Sequence, residues 1–279
     1  MVTAYVVSAF TANGKGGNKA GVVLEADDLS DAQMLTIAKE LAFSETAFVS
    51  KSKDATYKVR FFTTTEEVDL CGHATIATWS LLFQKGPIDH GMYTQETLAG
   101  KLGIDVSNDG SVFMEQTEPQ FFDQISYEEI APVLNVSKAD FEDSLQPQIV
   151  STGLKDILVP VRSKGVLMSL HPNFSAMTEL SKKYDVTGLH LFALGEDCTA
   201  VARNFAPLVG INEESATGTS NGALLCYLKE KDNLAEREIY RIEQGESMGQ
   251  LSEILGKFID GRIWVGGKAT LLKEQSIEV

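Results

Sequence analysis

The sequence predicts an α+β protein with two similar halves, each carrying one helix that begins at a glycine. Short runs rich in β-branched and aromatic residues outnumber the stretches with helical periodicity. The 279 residues are 43% hydrophobic and 23% charged, which supplies a core for one large domain or two ordinary ones. The segment C-G-H-A-T-I-A-T-W-S-L-L at 71–82 is matched by T-G-T-S-N-G-A-L-L-C-Y-L at 217–228, so we expect an internal repeat.

Local signals in the first half predict strands, two helices and one hairpin. Ser and Gln at capping-box spacing, ahead of an apolar face, predict a helix over residues 30–41. An Asn-Asp-Gly turn at 108–110 predicts a hairpin, because glycine adopts positive φ without strain. A second helix is expected to begin at Gly72 or His73. The predicted strands are residues 5–10, 20–24, 46–49, 57–63, 101–107 and 111–116.

The second half repeats this pattern of elements. A helix is expected from Gly218 or Thr219 to Leu228, and two strand pieces surround the Gly-Gly pair at 266–267. The other predicted strands are residues 148–151, 157–162, 189–193, 199–205 and 239–242.

A polar, acidic stretch at residues 117–119 is the predicted domain boundary. The predicted domains are residues 1–117, with Glu45 and the helix start at 71–73, and residues 118–267, with Glu214 and the helix start at 217–219.

The formal charge of −15 excludes several classes of partner. A field of this sign repels nucleic acid and anionic membranes, and no basic cluster offsets it. The first residues lack the pattern of a signal peptide, and no apolar run approaches the roughly 20 residues of a membrane helix. Three cysteines without a C-x-x-C pair argue against a disulfide framework or a zinc site. We therefore expect a cytoplasmic protein.

Catalytic signatures of several enzyme classes are missing. The chain has no P-loop and no G-x-G-x-x-G after a strand, which argues against nucleotide binding. It also lacks G-x-S-x-G and H-E-x-x-H, the signatures of serine and zinc hydrolases.

The two glycine-led helix starts are candidate anion sites. Backbone N–H groups at a helix start are unpaired within the helix and carry the positive end of its dipole, so they suit a carboxylate or an enolate-like charge. The alternative is that each glycine only allows close packing. At the first helix start a neutral His73 could act as a base or donor, while Cys71 sits where a thiolate is favoured.

Glu45 is the candidate general acid–base. It lies in F-S-E-T-A-F-V at 43–49, where apolar neighbours would desolvate a carboxylate and favour proton transfer. The alternative is an ordinary loop glutamate. Asp69 and Glu214 are further candidate carboxylates near the two helix starts.

These residues lie in motifs that resemble the PhzF-like isomerase family of phenazine biosynthesis, which has the diaminopimelate-epimerase-like fold. The combination of S-E-T-x-F-V with D-L-C-G-H-A-T is specific, and the matching pieces run in family order over nearly the whole chain. They are G-N-K-A-G-V-V-L at 17–24, S-E-T-A-F-V at 44–49, R-F-F-T-T-T-E-E-V-D-L-C-G-H-A-T at 60–75, E-S-A-T-G-T-S at 214–220 and Q-G-E-S-M-G at 244–249.

The resemblance implies two pseudo-symmetric domains, each a curved, mostly antiparallel sheet or barrel around a central helix. It implies that the C-terminal strand, about residues 268–279, packs on the first domain and that the protein is a homodimer. It also implies a cofactor-independent isomerase, without metal, that moves a proton between carbons of a small carboxylic or amino acid, cyclic unsaturated acids included.

The resemblance assigns site residues as well. Glu45 is implied as the general acid–base, with His73, Glu214 and Thr219 as further catalytic residues. The amides of Gly72 and Gly218 are implied to hold the substrate carboxylate. The other substrate-binding candidates are Asn18, Ser44, Asp69, Cys71 and Ser220.

Two of these positions depart from the family pattern. Glu214 stands where aspartate is usual, and Thr219 stands where serine is usual. Both changes add bulk and would narrow the pocket, so the resemblance alone does not assign the phenazine intermediate as the substrate.

Two alternative functions stay open from the sequence. Cys71 favours an epimerase or racemase, but Thr217 occupies the matching position in the second half, which leaves only a single-base variant. The departures at 214 and 219 would also fit a carboxylate-binding protein without catalysis.

Overall fold

Contacts between residues divide the chain into two units. The computed structural model describes residues 1–279. The first unit comprises Met1–Glu115 with Gly266–Val279, and the second comprises Gln116–Val265. None of the α-helices combines the length and hydrophobicity required to cross a membrane.

The elements follow one another along the chain as a mixture of short strands and six α-helices. The strands are β1 Val2–Ala9, β2 Asn18–Val23, β3 Thr46–Ser50, β4 Tyr57–Phe62, β5 Glu67–Val68, β6 Gly91–Thr97, β7 Gly100–Val106, β8 Val112–Glu115, β9 Gln120–Gln124, β10 Gln148–Ser151, β11 Lys155–Pro160, β12 Gly188–Leu194, β13 Ala200–Ala206, β14 Ile211–Glu214, β15 Tyr240–Gln244, β16 Ser252–Ile259, β17 Arg262–Gly267 and β18 Ala269–Ile277. The helices are α1 Asp31–Leu41, α2 Gly72–Lys85, α3 Tyr127–Leu134, α4 Lys164–Ser169, α5 Phe174–Tyr184 and α6 Gly218–Glu230.

The sheet of the first unit surrounds α2. β1 pairs with β18 and β2, β2 runs parallel to β3, and β3 pairs with β4. The sheet continues from β4 through β6 and β7 to β8. Helix α2 contacts β18 at one end of this order and β8 at the other, so the sheet curves around the helix. Every residue from His73 to Leu82 is buried, as expected for a helix that is covered on all sides.

Helix α1 packs on the outer face of the same sheet. Ser30 caps it, and Gln33 completes the predicted capping box. Its apolar residues Met34 and Ile37 are buried in a cluster that also contains Phe48 of β3. The helix ends at Leu41 because the next residue, Ala42, adopts the left-handed conformation and turns the chain toward β3.

The second unit repeats the pairing order of the first. β10 and β11 are antiparallel, β11 and β12 parallel, β12 and β13 antiparallel, and β13 and β15 parallel. In the first unit the matching pairs are β1–β2, β2–β3, β3–β4 and β4–β6. The short strands β5 and β14 each precede the buried, glycine-led helix of their own unit. The predicted internal repeat and α+β class are confirmed by this topology.

Helix α6 takes the place of α2 in the second unit. Its residues from Ser220 to Leu228 are buried, and it contacts β10, β11 and β16. On the other side of the sheet, α3, α4 and α5 contribute Ile130, Leu167 and Met177 to a large apolar cluster.

Candidate active site

Glu45 lies in the short connection between α1 and β3. The backbone N–H of Gly21 on β2 donates to the Glu45 carbonyl at 3.1 Å, which fixes this connection to the sheet. The Glu45 side chain is 22% exposed. Its Oε2 atom is buried and has no hydrogen-bond partner. A buried carboxylate oxygen without a donor is rare and calls for a functional or structural reason.

His73 occupies the second position of α2 and faces Glu45. Its side chain is 8% exposed, and Nε2 lies 3.4 Å from Oε2 of Glu45. The hydroxyl of Ser44 lies 3.5 Å from the same nitrogen. Burial lowers the pKa of His73 below its ordinary value, although the charge of Glu45 and a hydrogen bond with the backbone of Lys19 act in the opposite direction. The imidazole is therefore neutral at pH 7.

Cys71 completes the group at the start of α2. It is the N-cap residue, is 8% exposed, and its side chain makes no capping hydrogen bond. Its Sγ lies 3.3 Å from Nδ1 and 3.9 Å from Nε2 of His73. One donor atom each from Glu45, Cys71 and His73 lie within 4.8 Å of one another. We call Glu45, Cys71 and His73 the acid–thiol–imidazole cluster.

Three other residues predicted for the site lie at the ends of elements of the first unit. Gly72 is the first residue of α2, and Asn18 begins β2 opposite Ala9. Asp69 is exposed, and its backbone carbonyl accepts from Ala99. No hydrogen bond or ion pair connects its carboxylate with His73.

The second unit brings together Glu214 and the start of α6. Glu214 is half-buried at the end of β14, and its Oε2 accepts from the hydroxyl of Thr217 at 3.2 Å. Gly218 and Thr219 are the first two residues of α6, where Thr217 as N-cap provides no side-chain cap. The Thr219 carbonyl accepts from the hydroxyl of Thr152 at 3.0 Å.

Ser220 is directed into the interior of the second unit. It is 1% exposed, and its hydroxyl donates to Oδ2 of the buried Asp156. The amide of Asn204 lies 3.3 Å from the same hydroxyl. Ser220 thus belongs to a buried network, which explains its burial without any ligand.

That network continues to Glu214 through residues the sequence analysis did not identify. Asn204 contacts Nδ1 of His190 at 3.2 Å, and Nε2 of His190 contacts Oδ1 of Asn221 at 3.0 Å. Asn221 donates to Oε1 of Gln244 at 2.7 Å. Gln244 then donates to the Glu214 carbonyl at 2.8 Å and lies 3.1 Å from the Thr217 hydroxyl. We call this path the buried polar chain: Asp156, Ser220, Asn204, His190, Asn221 and Gln244.

Burial shifts the two titratable groups of the buried polar chain in opposite directions. It raises the pKa of Asp156 to about 6, although hydrogen bonds from Ser220, the Gly188 backbone and Asn204 oppose the shift. It lowers the pKa of His190 to about 4, although a hydrogen bond with Asn221 opposes the shift. Both cases follow from the cost of placing a charge in the interior.

Similar proteins agree with this architecture. A family model described as phenazine biosynthesis-like protein matches residues 7–275. An uncharacterized isomerase of Clostridium acetobutylicum is 36% identical over 260 residues, covering 88% of this chain and 86% of that protein. The crystal structure of a PhzF-family phenazine biosynthesis protein of Bacillus anthracis is 30% identical with a TM-score of 0.88, covering 100% of this chain and 99% of that one.

A more distant structure shares the fold alone. The probable proline racemase of Agrobacterium radiobacter is 12% identical with a TM-score of 0.66, and the match covers 100% of this chain and 93% of that one. The resemblance inferred from the motifs and the predicted fold class are confirmed by these matches.

Proposed function

Because the chain belongs to the phenazine biosynthesis-like family, we propose that it is a cofactor-independent isomerase of a small carboxylic or amino acid, with Glu45 as its general acid–base. The isomerase class is supported by the family and by the relative named an isomerase. The substrate class and the role of Glu45 are our proposal, and they rest on the side chains of the first unit.

The single observation that carries the proposal is the unpartnered Oε2 of Glu45 beside a neutral His73. Leaving a buried acceptor without a donor costs about 1–3 kcal/mol, so folding alone does not favour this arrangement. A base that attacks a C–H bond benefits from it, because no hydrogen bond competes for the lone pair. The unpartnered oxygen therefore supports a role of Glu45 in carbon-acid chemistry.

The proposed step conserves atoms and charge. The Glu45 carboxylate takes a proton from a carbon of the substrate, and the electrons of that C–H bond move into the system conjugated with the substrate carboxylate. Glu45 then returns the same proton to another carbon, where a new C–H bond forms. His73 stays neutral and places Nε2 3.4 Å from Oε2, where it can donate to or accept from the carboxyl group during transfer.

Anion binding at the helix starts supports the same reaction. Ser30, Ser163 and Asn173 cap α1, α4 and α5 with a side-chain acceptor. The glycine-led helices α2 and α6 have no such cap, so their first N–H groups can bind a ligand oxygen. We assign the substrate carboxylate and the negative charge of the intermediate to the amides that begin α2, in the unit that also holds Glu45. Within the second unit, the amides that begin α6 are the candidate anion site, with Glu214 and Thr219 as its assisting side chains.

A second candidate function is favoured by one contact. Cys71 lies 3.3 Å from Nδ1 of His73, within the same cluster as Glu45. The sequence left only a single-base epimerase, but this contact adds a thiol that could return a proton to the carbon that Glu45 has deprotonated, which would make the enzyme an epimerase with two unlike bases. This outcome differs from a double-bond shift because the substrate loses optical activity without changing its connectivity.

The test is proton exchange in heavy water. The full-length protein is incubated with amino, hydroxy and unsaturated carboxylic acids, and mass spectrometry and polarimetry follow deuterium uptake and optical activity. We expect uptake with at least one acid, and we expect Glu45→Gln to abolish uptake while the affinity for that acid persists. Glu40→Gln is the matched control, because Glu40 is an exposed glutamate near the end of α1 and lies outside the acid–thiol–imidazole cluster.

The outcomes separate the three functions. Uptake with a displaced double bond supports the proposed isomerase, and uptake with racemization supports the epimerase. Ligand binding without uptake in any compound would favour a binding protein, and equal uptake by the parent and Glu45→Gln would exclude Glu45 as the base.

A further inference from the structure

The acid–thiol–imidazole cluster places three different potential metal-ligand atoms close together. Oε2 of Glu45 is 3.4 Å from Nε2 of His73, and Sγ of Cys71 is 3.9 Å from that nitrogen. One atom from each residue falls within 4.8 Å of the others. All three side chains are largely buried, and the carboxylate oxygen has no hydrogen bond to break. The sequence predicts no metal site here, because no C-x-x-C pair is present.

The distances from Nε2 of His73 to the other two ligand atoms are close to those of a tetrahedral zinc site. Zinc bound to sulfur at about 2.3 Å and to nitrogen or oxygen at about 2.0–2.1 Å separates N from O by about 3.4 Å and S from N by about 3.5 Å. The N–O pair already has this separation. Sγ of Cys71 would have to move about 0.4 Å toward Nε2 of His73. It lies within 4.8 Å of Oε2 of Glu45, against about 3.5 Å between sulfur and oxygen ligands in such a site, so it must also move up to about 1.3 Å toward that oxygen, a displacement within the reach of a rotation of the Cys71 side chain.

We propose that Glu45, Cys71 and His73 bind one zinc-like divalent cation through Oε2, Sγ and Nε2, and that this ion inhibits the enzyme by occupying the base. A thiolate with an imidazole selects zinc over magnesium or calcium, which prefer oxygen ligands. Three protein ligands leave the fourth tetrahedral position open to water or to a substrate carboxylate. The net charge of −15 raises the local concentration of cations around the protein.

The inhibitory effect rests on the proposed function, but the binding does not. A cation on Oε2 of Glu45 occupies the lone pair that would attack the C–H bond. Removal of the ion by a chelator restores that lone pair, so inhibition is reversible. The site therefore couples activity to the availability of free zinc.

Cobalt spectroscopy tests the binding independently of activity. The tag-free, chelator-treated protein is titrated with Co²⁺ without oxygen, and a thiolate-to-cobalt charge-transfer band is recorded before Zn²⁺ displaces the cobalt. We expect one equivalent to produce the band. Cys71→Ser should abolish it, and Glu45→Gln should retain it with affinity weakened on the order of tenfold or more. Cys198→Ser is the matched control, because Cys198 is also buried and lies outside the cluster.

The results that overturn the proposal are specific. Absence of the band in the parent protein, or its persistence in Cys71→Ser, would exclude this site. Circular dichroism verifies folding of each variant, and His73→Gln serves as the second ligand deletion should Cys71→Ser not fold.

Zinc inhibition of deuterium uptake separates the two proposals. A cobalt band in a protein that takes up no deuterium supports the metal site and contradicts the proposed isomerase. Deuterium uptake that depends on Glu45 and is unaffected by zinc, in a protein that shows no cobalt band, supports the proposed isomerase and excludes the metal site.

Discussion

Oε2 of Glu45 lies 3.4 Å from Nε2 of the neutral His73, and it accepts no hydrogen bond. Burial favours a neutral imidazole beside this carboxylate oxygen. This arrangement resembles neither a stable ion pair, which needs a charged imidazolium, nor a satisfied buried carboxylate. We expect proton transfer at this pair to depend on both residues. Each residue can be tested by a single substitution that leaves the other in place.

The first prediction concerns His73. We expect His73→Gln to lower kcat by about 10²-fold or more, because a positioned proton-transfer partner contributes that much to a carbon-acid reaction. Steady-state kinetics on a substrate found by deuterium uptake would measure the change. His90→Gln is the matched control, since His90 is exposed in a loop and should leave kcat unchanged. Equal kcat values for the parent and His73→Gln would exclude His73 from the chemical step.

The second prediction concerns Gly21, whose N–H holds the Glu45 carbonyl. A Cβ atom at Gly21 would lie 2.6 Å from Cδ1 of Leu41 and 2.6 Å from Oγ1 of Thr46, so one of the neighbouring segments must shift. We expect Gly21→Ala to lower the free energy of unfolding by about 1–3 kcal/mol and to reduce deuterium uptake. Urea unfolding and the exchange assay measure the two effects.

Gly165→Ala is the matched control for Gly21. Gly165 lies in α4, and a Cβ atom there would meet only Oγ of Ser163 at 3.7 Å. Stability should stay constant or rise by about 0.5–1 kcal/mol, because alanine favours the helix. If Gly21→Ala behaved like Gly165→Ala, close packing would not be what positions Glu45.

The part of the site that could be predicted from the sequence is the part encoded locally. Glu45, Cys71 and His73 lie in two short motifs, and a helix start places the latter two next to each other whatever the remaining fold. The buried polar chain could not be found this way. His190 and Asn204 sit on neighbouring strands within largely apolar runs, and only the strand register brings them opposite each other.

The fold shows the same division between local and distant information. The capped α1 and the hairpin between β7 and β8 were predicted because their turn and cap residues are adjacent in sequence. Helix α5 was missed even though Asn173 caps it by accepting from Ala176. Helix α3 was missed because Pro132 lies inside it, and β9 because all of its residues are exposed and provide no alternation.

The third prediction concerns Gln244, which connects the buried polar chain with Glu214. Gln244→Leu removes the acceptor for Asn221 and the donor to the Glu214 carbonyl, both in the interior. We expect the free energy of unfolding to fall by at least about 1–3 kcal/mol and KM to rise, since the segment before α6 loses its anchor. The exposed Gln250 provides the matched control, and Gln250→Leu should change stability by no more than about 0.5 kcal/mol. A variant with reduced stability but unchanged KM would confine Gln244 to a structural role.

The last prediction is a pH dependence of stability with opposite signs for two neighbours. The folded-state pKa of His190 is lowered from 6.5 to about 4, so the unfolded chain binds a proton that the folded one rejects as pH falls below 6.5. This proton costs the parent protein about 2 kcal/mol of stability at pH 5. The His190→Gln variant does not carry this cost. The free energy of unfolding that it loses relative to the parent protein should therefore be about 2 kcal/mol smaller at pH 5 than at pH 7.

Asp156 should give the reverse. Its folded-state pKa is raised from 3.8 to about 6, so the folded protein retains a proton at pH 5 that it loses as pH rises through 6. The stabilisation that comes from this proton is present at low pH and declines toward pH 7. Asp156→Asn removes this pH dependence of the free energy of unfolding. The free energy of unfolding that Asp156→Asn loses relative to the parent protein should therefore be about 1 kcal/mol larger at pH 5 than at pH 7. Urea unfolding of the three proteins at both pH values measures the slopes, and deficits that change in the same direction for both variants would contradict this assignment of protons to the buried polar chain.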